Sequence, residues 1–587
     1  MSINKNKQEF DFFIVFIIFF AVLSYGRIYF LHDVFWDDNY CLRSVYASKN
    51  LEEFLNTGFV ELRRISAGTI LYYFFKIHKA TDYVYIIWQS INILIQVVTP
   101  IFLYLFLKNL LKDKKTFAFF TAISFSVFPL DYSFPFFGAI VYRASLLAII
   151  FSFYIMEKAL TMNRPHFGYY LMAFLVSGFS HYFLMEGTVF FEPARLFVIG
   201  YIFYKKDFFG KDLVKKTLTY WFPFLFICIP LIAYKLMFKP YGIYSGTYET
   251  DIFFFLKWRE HLKIIKVFLF QQWKILLKYI NDVEIWSILF GIFATIVGFL
   301  SLKKISSKIR AEVANGNVLE RLPFRTRLKN KCRSVQTIFI LGIFFLIPHV
   351  ILIEFVGHEI SFGRDGYHFA LMQIGYAIIL GCLIYAFYTA FLNSYARVKL
   401  LSFSLALIVG LGIFFNNLNL DLYFNASQRQ SRFWKSFVVR FPSLPENATF
   451  MMDVRDFYYF DSADMDNSYD LELAMNLLYA DSTNPEKFRR YKVFAIEEFK
   501  PGMVEKFRCD QSGEEKMERM THFGKEELDP CKFIVVHYRN GELLVNREIK
   551  EKYPDVPYKV WLNKDFPELP ESAPYPLRHK FKGLDNA

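Results

Sequence analysis

Two adjacent carboxylates, Asp37 and Asp38, stand just beyond the first long apolar run of the sequence, between Trp36 and Tyr40. Taking such a pair out of water is costly, so we expect it either to bind a cation or to supply a general base. The simpler interpretation is a solvated helix start, in which Asp33 or Asp37 caps the next helix. We take both Asp37 and Asp38 as candidate catalytic residues.

A pair of arginines, Arg63 and Arg64, lies further along the same loop. An arginine offers a planar fork of donors that matches phosphate oxygens, so both are candidate substrate-binding residues. The alternative is that both side chains reach toward the membrane surface without binding a ligand. Asp131 and Arg143, on either side of a proline-rich break between two apolar runs, are a second candidate binding pair.

A short polar turn between two later apolar runs contains His181 and Glu186, which are further candidates for substrate binding. Glu192 and Arg195 follow within or near the next run, and an ionisable residue inside a membrane span is a functional candidate by default. Because these two residues are three positions apart on a predicted helix, the alternative is that they pair with each other.

The last polar cluster is the loop over 358–368, where Arg364 and His368 are candidate substrate ligands. His358-Glu359 has no second histidine at helical spacing, so the zinc-hydrolase motif is absent. The sequence also has no P-loop, no dinucleotide-binding glycine fingerprint and no Gly-x-Ser-x-Gly nucleophile elbow. Any chemistry is therefore expected to depend on carboxylates and arginines in loops.

The composition indicates which class of protein positions these residues. Hydrophobic residues make up 54% of the 587-residue chain, and long apolar runs alternate with short charged segments up to about Asn416. This pattern predicts a polytopic α-helical membrane protein. The net charge of +13 would suggest nucleic acid in a soluble protein. In a membrane protein the basic loops instead face anionic lipid, so we expect membrane lipids and no nucleic acid as partners.

About eleven apolar runs are candidate transmembrane helices. The first follows Lys5 and Lys7 and has no small-residue cleavage site after it, so we interpret it as a retained helix rather than a signal peptide. The predicted spans cover residues 11–31, 83–107, 116–129, 138–157, 168–184, 188–204, 217–238, 284–302, 335–356, 367–391 and 399–416.

The charges of the connecting loops predict the orientation of the chain. With the basic N-terminus in the cytoplasm, every loop that should be cytoplasmic is rich in lysine and arginine, as the positive-inside rule requires. These loops cover residues 108–115, 157–164, 205–216, 303–333 and 397–399. An odd number of crossings then puts the C-terminal part outside. An apolar segment over 263–280, interrupted by polar residues, is interpreted as an interfacial helix rather than a crossing.

All five polar clusters fall on the extracytoplasmic side of this predicted topology. A carrier is expected to place polar groups at mid-depth in interrupted helices, whereas an enzyme that acts at the outer leaflet would gather them in outer loops. The asymmetry favours an enzyme.

The C-terminal part has the composition of a soluble, mixed α/β domain. We predict strands over 448–459, 491–496, 533–538 and 542–547 and a helix over 471–479, with a type I′ hairpin turn at Asn540-Gly541. The predicted domains are therefore a transmembrane domain over 1–417 and an extracytoplasmic domain over 418–587. Cys509 and Cys531 would be a disulfide pair if this domain faces an oxidising compartment.

This arrangement resembles the GT-C superfamily of integral-membrane glycosyltransferases, which includes protein O-mannosyltransferases and aminoarabinose transferases. The resemblance rests on Trp36-Asp37-Asp38 and Arg63-Arg64 in the first outer loop and on Gly363-Arg364-Asp365-Gly366-Tyr367-His368 in a late one. The stretch after the last predicted span, from Phe433-Trp434 to Leu444-Pro445-Glu446-Asn447, is also similar in kind to sequences of this superfamily. The chain departs from mannosyltransferases in having Asp-Asp in place of Asp-Glu, and it has Asp365-Gly366 inserted before the tyrosine.

The resemblance implies a GT-C-like transmembrane domain and an inverting transfer of a sugar. The donor would be linked to polyprenyl phosphate, and the acceptor would be a protein, lipid or polysaccharide at the outer face. Asp37 would be the base, and Arg364 with Arg63 or Arg64 would stabilise the leaving phosphate. Some members use a divalent cation, and Asp38 with Asp131 would then be oxygen ligands for Mg²⁺ or Mn²⁺. No other cofactor is expected.

Two other functions share this topology. A ligase or polymerase of lipid-linked oligosaccharides would have the same outer-loop residues, and a transporter or flippase of lipid-linked sugars is the non-enzymatic alternative. The expected location is a bacterial inner membrane rather than the membrane of the endoplasmic reticulum.

Overall fold

The structure is a computed structural model of the whole chain, and its described part includes most of the helices and the C-terminal sheet. The described residues are 12–33, 35, 37–62, 64–81, 83–111, 114–128, 131–162, 165–238, 241, 259, 262–263, 266, 274, 277–314, 336–350, 367–391, 395–442, 444, 448–454, 468–479, 491–496, 517–521, 524–528, 533–539 and 541–552.

The first predicted outer loop, between the predicted spans over 11–31 and 83–107, is itself helical. Helix α1 covers Phe12–Tyr25 and continues as a 3-10 turn over Gly26–Phe30. Three helices then follow before the next long apolar helix: α2 over Asp37–Ala47, α3 over Leu51–Leu55 and α4 over Ile65–Ala80. Helix α3 begins after Asn50, whose side chain accepts a hydrogen bond from the backbone N–H of Glu53, an ordinary N-cap.

The middle of the chain forms a run of apolar helices. Their bounds are Val84–Leu110 for α5, Lys115–Val127 for α6, Ile140–Thr161 for α7, Phe167–Phe179 for α8, Glu192–Tyr204 for α9 and Gly210–Met237 for α10. A π-helical turn over Ser180–Leu184 and a 3-10 helix over Glu186–Phe191 connect α8 to α9. Pro193 stands in the first turn of α9, where its missing N–H costs nothing.

Four further helices complete the apolar part. A 3-10 turn over Ile280–Asp282 precedes α11, which covers Ile285–Ala314, and α12 covers Gln336–Val350. A helical turn over Tyr367–Ala370 leads into α13 over Gln373–Phe391. Helix α14 is continuous over 46 residues, from Tyr395 to Arg440.

The structure supports a multi-pass membrane protein, but the count of about eleven spans is not confirmed. Six helices in the described part are long and apolar enough to cross a membrane, and they lie over 12–30, 84–110, 140–161, 210–235, 285–304 and 399–440. Helices α6, α12 and α13 are apolar but shorter. The predicted spans over 168–184 and 188–204 each combine a 13-residue α-helix with an adjoining π or 3-10 segment, and neither is among the six long apolar helices.

Helices α11 and α14 pack closely against each other because glycines face each other at their contact. A Cβ added at Gly410 would lie 2.6 Å from the carbonyl oxygen of Gly291, and one added at Gly291 would lie 3.2 Å from that of Gly410. Small residues at such positions let two membrane helices approach closely and gain dispersion contacts.

The C-terminal domain is a small mixed α/β unit, as predicted. Strand β1 covers Thr449–Asp453, helix α15 covers Ser468–Tyr479 and strand β2 covers Lys492–Ala495. Strands β3 and β4, over Met517–Thr521 and Gly524–Leu528, pair with each other. The last elements are β5 over Phe533–Arg539, β6 over Glu542–Val545 and α16 over Asn546–Lys552.

The main sheet of this domain has the order β2-β1-β5-β6, with β1 parallel to both β2 and β5. Strands β5 and β6 form the predicted hairpin, and Arg539 pairs with Glu542. Gly541 has a φ of 80°, the left-handed conformation that a type I′ turn requires. The hairpin prediction is therefore confirmed.

The predicted domain boundary at 417/418 lies inside helix α14, which runs on to Arg440. Phe433, Phe437 and Phe441, at its end, belong to the hydrophobic core of the C-terminal domain. Helix α15 of this domain also packs against α2 of the first outer loop. The two regions therefore lie at the same end of the helical bundle.

Candidate functional site

Asp38 connects the first predicted outer loop to the start of helix α7. Its side chain is fully buried, and its two carboxylate oxygens accept hydrogen bonds from the backbone N–H groups of Phe137, at 3.1 Å, and Gly138, at 2.7 Å. An ionised carboxylate accepts with both oxygens, so this pair of donors holds it in one orientation. Asp38 thereby fixes the start of α2 against the loop that precedes α7.

Arg143 holds the same loop from its other side. Its guanidinium donates to Asp131 Oδ2 at 2.8 Å and to the carbonyl oxygen of Ser133 at 2.6 Å, and it also reaches the carbonyl oxygen of Phe136. The other nitrogen at its tip donates to Asn92 Oδ1 at 2.7 Å. The predicted pair Asp131–Arg143 is therefore a buried ion pair at the centre of a hydrogen-bond network.

A third contact connects the first outer loop to the turn before α9. Arg64 Nε lies 3.1 Å from Glu186 Oε1, and Lys235 Nζ approaches the same oxygen to 2.7 Å. Burial raises the pKa of the Glu186 carboxyl, but the charges of Arg64 and Lys235 outweigh it and lower the pKa from 4.5 to about 2. Two cations thus approach the same carboxylate oxygen.

His181 lies in a separate buried network. Its ring nitrogens are within hydrogen-bond distance of Ser177, of Thr188 and, at 3.3 Å, of Glu192. Arg195 Nε contacts both carboxylate oxygens of Glu192 at 3.0 Å. The alternative that Glu192 and Arg195 pair with each other is therefore what the structure shows, and His181 joins that pair.

The turn that contains His181 lies beside elements that carry the other networks. Ser180, beside His181, donates to the carbonyl oxygen of Ser145 at 3.3 Å, two residues after Arg143 on α7. Helix α4, which Arg64 precedes, packs against the π-helical turn over Ser180–Leu184. The elements that carry these clusters are separate along the sequence, but they pack against one another.

Helix α2, which begins at Asp37, is buried on all sides although it is polar. Every residue from Asp38 to Ser48 is at most 8% exposed, and the polar ones among them include Asn39, Arg43 and Ser44. A polar helix normally lies in solvent. Here α4, the loop before α7 and helix α15 of the C-terminal domain enclose it.

Several of the predicted site residues lie outside the described part of the structure. These are Arg63 and Arg364, together with the side chains of Asp37 and His368, and their roles stay predictions. Most of the predicted interfacial helix over 263–280 and both Cys509 and Cys531 also lie outside it. Of the other cysteines, Cys41, Cys228 and Cys382 are buried.

The role of Asp38 and Asp131 as ligands of one cation stays a prediction, and both carboxylates have other partners in the structure. Both oxygens of Asp38 accept backbone N–H groups, and those of Asp131 are occupied by Arg143 and Ser133. The guanidinium beside Asp131 would also repel a second cation. Among the described residues no group of three or more histidine, cysteine or acidic side chains is arranged to hold a metal ion.

Sequence reasoning missed three residues that contact the predicted residues or the helix that carries them. Asn92 and Lys235 are polar residues inside or at the end of long apolar helices, and that position is a signal that could have identified them. The third is Glu472 of the C-terminal domain, whose carboxylate lies 3.9 Å from Arg43 on α2. No local pattern in the sequence relates Arg43 to Glu472.

Comparison of this chain with protein-family models, with curated proteins and with solved structures finds no match.

Proposed function

We propose that this protein is a membrane-bound glycosyltransferase that moves a sugar from a polyprenyl-phosphate donor to an acceptor at the outer membrane face. The observation that supports the proposal best is the meeting of three predicted polar clusters at one end of an apolar bundle. Asp38, Arg143 and Arg64 each form contacts there with residues distant in the chain. A lipid-linked substrate needs this combination of an apolar body and a polar end.

The two carboxylates of the first loop have different roles in this proposal. Asp38 is occupied by the N–H groups of Phe137 and Gly138, so it serves as the anchor of α2. Asp37, at the first position of the same helix, is the general base. It takes the proton of the acceptor hydroxyl as that oxygen attacks the anomeric carbon of the donor, and the configuration at that carbon inverts.

Arginines stabilise the phosphate that leaves with the polyprenyl chain. Breaking the bond between the sugar and the phosphate adds negative charge to the phosphate, and preorganised cations lower the cost of that charge. Arg64 and Lys235 both lie at Glu186, and the side chain of Arg64 keeps 21% of its surface exposed. Arg63 and Arg364 are the further candidates for this role.

The test is a donor assay with purified protein. We expect the wild-type protein, given a panel of radiolabelled polyprenyl-phosphate sugars and a membrane-extract acceptor, to release unglycosylated polyprenyl phosphate and to label the acceptor. The variant Asp37→Asn should lose this release, whereas the matched control Asp282→Asn, an acidic residue in another predicted outer loop, should retain it. Comparing surface glycans by mass spectrometry in cells with and without the gene would identify the sugar.

Two outcomes of the same assay would contradict the proposal. Movement of the donor across a sealed vesicle without release of polyprenyl phosphate would indicate a flippase. Transfer of assembled oligosaccharides, but of no single sugar, would indicate a ligase or polymerase. Activity that disappears with a chelator and returns with Mg²⁺ or Mn²⁺ would add a metal requirement.

A further inference from the structure

Helix α15 of the C-terminal domain has two apolar faces, and each packs against a different part of the protein. Leu471, Ala474, Met475 and Leu478 belong to the core of the C-terminal domain. Leu473 and Leu477, four positions apart and so on one face, belong instead to the main core of the bundle, together with Leu42 and Val45 of α2. The helix is therefore shared between the two cores.

A charged contact accompanies this packing. Arg43 on α2 lies 3.9 Å from Glu472 on α15, and both side chains are less than 10% exposed. The other oxygen of Glu472 accepts a hydrogen bond from the backbone N–H of Val493 at 3.3 Å. Helix α2 is thus connected through Arg43 and Glu472 to strand β2 of the C-terminal sheet.

Helix α15 is in turn fixed to the sheet at both of its ends. Ser468 Oγ, at its start, accepts from the backbone N–H of Ala495 at 2.7 Å. Asn476, toward its end, accepts from the backbone N–H of Tyr491 and donates to the carbonyl oxygen of the same residue. The surface that meets α2 is therefore part of a rigid unit.

We propose that the C-terminal domain is part of the functional site, because α15 positions the helix that carries Asp37 and Asp38. Arg43 and Glu472 are positioning residues in this proposal, and neither is a catalytic residue. Without α15, Arg43 would be more exposed to water and α2 would lose one of the elements that enclose it. This assignment rests on the function proposed above.

The test uses Cys41 as a reporter, since it lies on α2 and is a buried cysteine, 4% exposed. Thiol reagents reach a buried cysteine only when the structure around it opens. The full-length protein in detergent is alkylated with N-ethylmaleimide, and the rate at each cysteine is measured by mass spectrometry. Cys228 and Cys382, buried in α10 and α13, are internal controls.

Two variants weaken the contact in different ways. Glu472→Gln removes the charge but keeps an oxygen for the Val493 N–H, and Leu477→Ala removes an apolar contact with the bundle. Each should raise the alkylation rate of Cys41 by about 10-fold or more and leave the rates at Cys228 and Cys382 unchanged. The control Arg440→Gln breaks an ion pair with Glu548 on an exposed face of the same domain and should change none of them.

A second measurement tests whether α15 positions the site. Misplacing a reacting group slows turnover without weakening substrate binding, so Glu472→Gln should lower kcat about 10-fold or more with little change in KM. Unchanged Cys41 alkylation in both variants would overturn the contact, and faster alkylation with an unchanged kcat would overturn the positioning role. If the wild-type protein releases no polyprenyl phosphate at all, the proposed function fails, but the Cys41 rates still decide whether α15 fixes α2.

Discussion

The backbone N–H of Gly138 donates a 2.7 Å hydrogen bond to the carboxylate of Asp38, a residue 100 positions earlier in the chain. The contact joins two segments that the sequence presents as unrelated outer loops. It also separates the roles of the two adjacent carboxylates, because Asp38 has a structural partner on each oxygen.

Asp38→Asn should therefore lower stability. An asparagine amide presents one donor where Asp38 presents an acceptor, so one of the two backbone N–H groups would face another N–H. Leaving a buried donor unsatisfied costs about 1–3 kcal/mol. We expect a lower melting temperature in detergent and an activity that falls less than in Asp37→Asn. Asp282→Asn is the control, and an unchanged melting temperature for Asp38→Asn would contradict the anchoring role.

Asp37→Asn should affect turnover and leave the fold intact. General-base catalysis contributes about 10²–10⁴-fold, so kcat in the donor assay should fall by about that factor, while donor binding and melting temperature stay close to wild type. The assay compares initial rates of polyprenyl-phosphate release by equal amounts of folded protein. A wild-type rate in this variant would remove Asp37 as the base, and wild-type rates in both aspartate variants would remove the main support for an enzyme.

Arg143→Lys should be strongly destabilising. A lysine cannot reach Asp131, Asn92 and the carbonyl oxygen of Ser133 at once, as the guanidinium does. A lysine can still pair with Asp131, but each buried acceptor that it leaves without a donor costs about 1–3 kcal/mol. Thermal unfolding measures the effect, with Arg432→Lys on an exposed part of α14 as the matched control. Equal melting temperatures for the two variants would show that the network contributes little.

The ion pairs of Glu186 should make stability depend on pH in acid. The Glu186 carboxyl has a pKa of about 2 in the folded protein and about 4.5 when unperturbed, so its stabilising effect is complete above about 4.5 and is lost as the pH falls toward 2. Glu186→Gln should therefore unfold at a lower temperature than wild type at pH 7. The difference in melting temperature between this variant and wild type should shrink as the pH falls from 4.5 to 2.

Thermal unfolding at several pH values, read by intrinsic fluorescence, would measure this difference. The control Glu52→Gln changes an exposed glutamate on α3 and should leave the melting temperature at pH 7 unchanged. A difference between Glu186→Gln and wild type that stays constant across this pH range would contradict the assignment.

The predicted orientation can be tested with introduced cysteines in a chain whose native cysteines are replaced. Because the basic loops predict an extracytoplasmic C-terminal domain, Ser512→Cys should react with an impermeant thiol reagent in intact cells. Ser307→Cys, in the basic segment over 303–333, should react only after permeabilisation. The reverse pattern would invert the topology and move the candidate site to the cytoplasmic face.

Local patterns in the sequence were sufficient for much of the architecture. The apolar runs predicted the positions of most long helices, because a membrane helix needs about 20 consecutive apolar residues and few other structures do. The Asn540-Gly541 pair predicted the β5–β6 hairpin, because a type I′ turn requires backbone conformations that few other residues adopt. The helices within the first outer loop were missed, since their polar residues made α2 look like a solvated segment.

The sequence by itself also determined which residue types could do chemistry and that they fall in loops on one predicted side. Only the tertiary structure decided their partners: Gly138 for Asp38, Glu186 for Arg64 and Glu472 for Arg43. The physical reason is that periodicity and turn chemistry act over a few neighbouring residues. A buried ion pair or hydrogen bond between distant segments depends instead on how whole helices pack, and no local pattern records that.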